Sequence, residues 1–186
     1  MARLLYQGII SLDGYLNDAS GRYDWAEPDE AVFAFTIEQE RSVGTYLLGR
    51  RMYEEMIVWE TLGTEPGQTR LMIDFADAWL AADKVVYSRT LDAVSTVRTR
   101  IERSFEPEAV RRMTASSAHD LSISGAHLAA PAIREDLVDE FQLYLIPTVV
   151  GGGTRFLPDG VRFDLDLVEE HRFQSGVVFL RYARRR

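Results

Sequence analysis

The stretch Leu47-Leu48-Gly49-Arg50-Arg51 sets the reading of this chain. A short apolar run, Thr45-Tyr46-Leu47-Leu48, has the make-up of a buried strand; it stops at a glycine, and Arg50 to about Val58 then takes helical spacing. The same order of strand, glycine and helix returns at Ile123-Ser124-Gly125-Ala126. A glycine lets backbone approach a ligand closely, and a helix start offers unpaired N–H groups at the positive end of its dipole. Two such junctions at strand C-termini can hold the two phosphates of a dinucleotide. Arg50 and Arg51 add charge-assisted donors suited to a ribose 2′-phosphate. The residues are equally compatible with two tight turns beside surface arginines, since neither junction completes a G-x-G-x-x-G.

Upstream of this stretch, residues 3–11 form an apolar strand-like run that ends in the turn Ser11-Leu12-Asp13-Gly14. A polar loop leads to Pro28, and residues 29–42 predict a helix, with Asp29 and Glu30 at its positive end and Val32, Phe33, Phe35 and Ile37 at helical spacing. Downstream, Thr61–Gly67 reads as a loop, and Leu71, Phe75, Trp79 and Leu80 mark another helix. Lys84–Ser88 is a strand, residues 95–98 suit a further one, and residues 107–118 look helical. Leu121–Ser124 is a strand followed by a helix over Ala126–Arg134, in which Pro131 requires an early-turn position or a kink. Phe141–Ile146 is a strand closed by Pro147. Near the C-terminus Phe163, Leu165 and Leu167 alternate with Asp164 and Asp166, and Val177–Tyr182 follows the turn Gln174-Ser175-Gly176, which is a hairpin pattern. The order predicts an α/β fold: a mostly parallel central sheet between helices, with an antiparallel edge. No shift in composition interrupts residues 1–186, which therefore read as a single domain.

Composition removes several classes of function. The net charge of -8 opposes binding to nucleic acid, and the basic run Arg184-Arg185-Arg186 is most simply a solubilising end. The chain has no cysteine, which excludes disulfides, thiolate nucleophiles and cysteine-ligated metal clusters. Its first residues are too briefly apolar for a signal peptide or a membrane span, so a cytoplasmic protein without a membrane partner is expected. His119, His127 and His171 have no metal-ligand spacing, and neither a Gly-x-Ser-x-Gly elbow nor a Walker sequence occurs.

The candidates for chemistry are then few. Asp13, Asp24, Asp29 and Glu30 lie near the first strand end and the next helix start. A carboxylate partly desolvated against Trp25 could manage a proton or bind an amidine-like edge of a heterocycle, whereas Asp29 or Glu30 could equally serve the helix start. Gly151-Gly152-Gly153 offers bare backbone to a phosphate or a flat ring, or simply a flexible turn.

In order and spacing, these pieces resemble the dihydrofolate-reductase-like superfamily, above all its branch related to the reductase domain of bacterial riboflavin biosynthesis. The matching stretches are Ser11–Tyr15, Tyr46–Tyr53, Lys84–Arg89, Ile123–Leu128, Leu137–Glu140 and Pro147–Gly153. The resemblance implies a three-layer α/β/α fold with a sheet of about eight strands, mostly parallel, ending in an antiparallel C-terminal hairpin. It implies NADPH across the strand C-termini, with Gly49, Arg50 and Arg51 on its phosphates and Ser88 and Arg89 near the adenosine. Gly125, Ala126 and His127 would hold the pyrophosphate, Ser11 to Gly14 would face the nicotinamide, and Gly151, Gly152 and Gly153 would border the cleft. Trp25–Glu30 resembles the segment of dihydrofolate reductases that carries the substrate carboxylate, which puts Glu30 in that place; Asp13 belongs to the riboflavin-type pattern. The implied activity is an NADPH-dependent reductase of a small heterocycle, a pterin or an aminouracil of the 5-amino-6-(5-phosphoribosylamino)uracil type. With no cysteine in the sequence, no zinc deaminase domain is expected. The alternatives are a nucleotide-binding or scaffolding module of the same fold without catalysis, and a flavin-linked reductase. Related domains often pair, so a homodimer is also implied.

Overall fold

Alternation along the strands decides which side chains meet which helices. In the computed structural model, which describes residues 2–186, the chain forms β1 (Leu4–Ser11), β2 (Tyr15–Asn17), a 3-10 turn at Asp24–Ala26 and α1 (Glu30–Glu40). It continues through β3 (Val43–Gly49), α2 (Arg50–Met56), α3 (Trp59–Leu62), α4 (Arg70–Ala81), β4 (Asp83–Tyr87), β5 (Thr99–Glu102) and α5 (Pro107–Ser116). Then come β6 (Asp120–Ser124), α6 (Ala126–Arg134), β7 (Glu140–Ile146), β8 (Thr154–Arg155), β9 (Leu165–Arg172) and β10 (Val178–Arg184). Eight strands make one sheet in the order β5-β4-β3-β6-β1-β7-β10-β9, and β2 pairs with β8 separately. The first six are mutually parallel; β10 runs antiparallel to both β7 and β9.

Neighbouring residues of a strand point to opposite faces. Leu4, Tyr6 and Ile10 of β1, with Leu47, Val85, Leu121, Ile123 and Phe141, meet Val110 of α5 and Leu128, Ala129, Ala132 and Ile133 of α6. On the other face Tyr46, Leu48 and Val86 pack with Tyr53 of α2 and Trp79 of α4. Tyr144, Ile146 and Phe179 pack there with Val32 and Phe35 of α1. The result is the expected dihydrofolate-reductase-like sandwich of helices, sheet and helices. Each fully buried large side chain contributes roughly 1.5–3 kcal/mol. Phe33 explains why α1 lacks a single apolar stripe: it turns from the sheet toward Trp59 and Phe75, at ring distances of 6.2 and 5.8 Å.

Three local expectations change. The strand sought over residues 95–98 lies instead at Thr99–Glu102, because side chains claim the earlier backbone. Ser95 N–H donates to the Tyr53 hydroxyl (2.9 Å) and Val97 N–H to Glu60 Oε1 (2.7 Å). The helix expected from Arg50 to Val58 ends at Met56, and α3 restarts at Trp59. Pro131 sits inside α6 rather than in its early turn, and the helix closes three residues later at Arg134.

One acidic group is buried under α1. Glu40, 4% exposed, accepts hydrogen bonds from the Gln7 amide and from the Tyr46 hydroxyl, the latter at 2.8 Å. Burial pushes its carboxyl up to about 7, against the lowering effect of the Tyr46 bond. An acid whose folded pKa is raised stabilises the fold fully below its unfolded value of 4.5, and that stability is lost as pH rises through about 7. The shift corresponds to roughly 3 kcal/mol. Denaturant unfolding of wild type should therefore show stability falling between these pH values. Glu40→Gln should flatten that slope, and an unchanged slope would refute the assignment.

Candidate functional site

Parallel pairing puts the carboxyl ends of β4, β3, β6, β1 and β7 along one edge of the sheet, in that order. Segments distant in sequence become neighbours there. Ser88 and Arg89 follow β4, Gly49 to Arg51 join β3 to α2, and Gly125 to His127 join β6 to α6. Ser11 ends β1, the turn to Gly14 follows it, and Gly151 to Gly153 lie beyond β7. Because α1 returns across the sheet to the start of β3, its first residue, Glu30, belongs to the same end. All the candidates taken from sequence thus share one edge.

The two glycine junctions differ in their physical cause. Gly125 has φ 98°, a conformation side-chain-bearing residues rarely adopt, and a Cβ there would meet nothing within 4 Å. Leu128 and Ala129 donate to Gly125 O at 3.1 and 2.9 Å, which leaves the Ala126 and His127 N–H groups outside the ladder of α6. No side chain caps this helix. Gly49 has φ -71° and ψ 160°, which any residue can adopt, and the space before its Cα is likewise open. Nothing in the backbone requires a glycine at 49; the open space is the feature it preserves. Helix α2 has only 7 residues, so the charge at this junction comes from its arginines rather than from a long dipole.

Those arginines take different directions. Arg50 Nε donates to Glu54 Oε1 at 2.7 Å and its Nη1 to Thr90 Oγ1 at 2.9 Å, which leans it toward the loop after β4. Arg51 lines a cavity of about 390 Å³ together with Asn17, Asp18, Gly21, Gly153 and Thr154. Ser88 is buried, and its Oγ accepts the N–H groups of Thr90 (3.3 Å) and Leu91 (3.0 Å). Arg103 locks the same loop from behind: its Nη1 donates to Ser88 O at 3.1 Å and Leu91 O at 2.6 Å. Sequence reading passed over Arg103 and Thr90. A correct placement of β5 would have shown Arg103 just past the end of the strand beside β4.

The carboxylates separate as well. Asp13 accepts the backbone N–H groups of Gly151 (2.8 Å) and Val150 (3.2 Å), while Leu12 N–H donates to Thr148 O (2.8 Å). A hydrogen bond from Ser11, followed by those backbone donors, holds its carboxyl below the usual range. The expectation of a catalytic Asp13 therefore meets a carboxylate that is ionised and already engaged, joining the loops after β1 and β7. Asp29 caps α1 by accepting from Val32 N–H at 2.8 Å, and bonds from Ser175 and that N–H lower its pKa. Glu30 stands exposed beside it with its carboxylate uncommitted to the cap. Of the other candidates, Arg89 and His127 are exposed; His171, on β9, stacks on Phe35 at a ring distance of 5.1 Å. In the glycine run, a Cβ on Gly153 would lie 1.9 Å from Asn17 O, so this glycine serves the approach of β8 to β2; Gly151 and Gly152 face open space.

Comparison with known proteins fits this architecture. The family model of the RibD C-terminal domain matches residues 2–179. The uncharacterized protein YyaP of Bacillus subtilis (strain 168) is 26% identical over 184 residues, covering 97% of this chain and 94% of its own. Among solved structures, a Shewanella sp. PV-4 protein assigned to riboflavin biosynthesis has a TM-score of 0.73 at 19% identity, covering 99% of both chains. Dihydrofolate reductase from Enterococcus faecalis, solved with NADP(H), has a TM-score of 0.61 at 13% identity, covering 99% of this chain and 97% of its own.

The two kinds of glycine should respond differently to alanine. Gly153→Ala is expected to lower stability by about 2 kcal/mol or more, since backbone must move to admit the methyl group. Gly49→Ala should cost about 1 kcal/mol or less, the penalty of a poorer helix cap. Thermal unfolding of both variants checks this, and equal losses would contradict the distinction.

Proposed function

The chain belongs to the RibD C-terminal domain family, and from that footing we propose that it is an NADPH-dependent reductase of a small heterocycle, a pterin or an aminouracil. The observation that carries the proposal is the open, donor-lined edge from Arg50 through Gly125. There two glycines leave space before them and two N–H groups stay outside any helix ladder. These residues fit a dinucleotide. When bound, the reduced nicotinamide would supply a hydride, and the protein would supply orientation and exclusion of water.

Role by role, Arg50 and Arg89 would recognise the ribose 2′-phosphate, because Arg50 leans to the loop after β4 where Arg89 stands. Gly49 and Arg51 would sit beside the remaining phosphates, and Gly125, Ala126 and His127 would hold the pyrophosphate with backbone donors. Ser88 would act by shaping its loop. Ser11 to Gly14, held to the β7 loop by Asp13, would form the wall against the nicotinamide, with Gly151 and Gly152 at its border. Glu30 would take the substrate's amidine-like edge or hold the proton that accompanies the hydride. A homodimer in the cytoplasm is the expected setting.

Titration with NADPH and NADH, followed by tryptophan fluorescence, tests the cofactor; pterins and aminouracils are then screened for NADPH oxidation. NADPH should bind more tightly than NADH. Arg50→Ala should erase most of that preference, and Arg51→Ala should weaken both cofactors by about tenfold. Failure of both dinucleotides to bind would sink the proposal. Binding without turnover of any heterocycle would favour the second reading, a nucleotide-binding module, which the exposure of Glu30 and the engagement of Asp13 keep in view.

A further inference from the structure

The guanidinium of Arg50 is held on two sides before any ligand arrives. Glu54, one helical turn on, takes Nε at 2.7 Å, and Thr90, from the loop after the neighbouring strand, takes Nη1 at 2.9 Å. Nη2 has no bond to the protein among the described residues. Thr90 is itself placed by Ser88, whose Oγ accepts its N–H at 3.3 Å, and Ser88 is fixed from behind by Arg103. The frame thus runs from Arg103 through the loop to Arg50 and Glu54, bridging the ends of β3 and β4.

An isolated surface ion pair of this kind does little for stability. Both partners are close to half exposed, at 48% and 43%. A long arginine on a short helix otherwise samples many rotamers, and a ligand that fixes it must offset that entropy. Two tethers on one guanidinium remove most of this cost in advance and leave one corner of the fork presented.

We propose that Glu54 and Thr90 are positioning residues that pre-set Arg50 for an anionic group on the ligand, which on the reading above is the 2′-phosphate of NADPH. Two effects of Glu54 oppose each other. Its bond orders Arg50, while its negative charge repels a phosphate a few ångströms farther out, where solvent screens it. Glu54→Gln separates them, because its amide oxygen can still accept from Nε while the charge is gone. Glu54→Ala removes both.

The experiment measures dissociation constants of NADPH and NADH for wild type, Glu54→Ala, Glu54→Gln and Thr90→Ala, by fluorescence titration at fixed ionic strength. Glu54→Ala and Thr90→Ala should each weaken NADPH by about three- to tenfold, the cost of re-ordering one long side chain, while leaving NADH unchanged. Glu54→Gln should restore the wild-type preference or exceed it. If Glu54→Ala weakened both cofactors alike, its role would be structural and the inference would fall. If Glu54→Ala and Glu54→Gln both tightened NADPH, Glu54 would act through charge alone, which also overturns it. A wild-type protein with no preference for NADPH would instead refute the assignment of Arg50 in the proposed function, before any variant is compared.

Discussion

Everything at the candidate site depends on the parallel pairing of six strands. A strand that pairs parallel to its neighbour must be followed by a crossover, and here helices supply most of them, so each strand ends on the same edge of the sheet and each connection begins there. The helices bury the apolar alternation of the central strands, and the edge where those strands end is left to the loops. Loop residues separated by most of the chain meet on it because the pairing leaves them no other place.

On this edge the protein distinguishes residues that build loops from residues left without protein partners. Asp13, Ser88, Asp29, Arg103 and Gly153 are engaged with backbone or fill a close approach. Gly49, Gly125 and the first N–H groups of α6 face open space. The first group makes the second possible, since a bare helix start and an open glycine are useful only where the surrounding loops hold still. Loops fixed from behind, such as 88–91 by Arg103, make a preorganised surface at small cost in ordering when a ligand arrives.

Much of the fold was legible because apolar runs, glycines and helix-start acids coincide along the chain. The junctions at Gly49 and Gly125, the Asp29 helix start and the C-terminal hairpin all follow from local chemistry. What could not be read were features made by partners distant in sequence. Residues 95–98 have a strand's composition, yet their backbone is claimed by Tyr53 and Glu60 from the helical segment before them. The β2–β8 pair joins two- and three-residue segments too short to leave a pattern. Asp13 and Arg50 looked alike in sequence as free charged groups; only tertiary contacts show that one clamps a loop and the other is held beside open space. Glu40 sits at an ordinary helical position, and its burial against Gln7 and Tyr46 has no local signature.

The central claim is that a dinucleotide lies across the strand ends from β4 to β6. Backbone amide chemical shifts of isotope-labelled protein, followed during addition of oxidised NADP, address it without relying on turnover. The account predicts the largest changes at Gly49, Arg51, Arg89, Gly125, Ala126 and His127, with little change at Arg3, Asp120 and Glu140 on the opposite edge. Saturable shifts confined to that opposite edge, or no shifts at all, would contradict it.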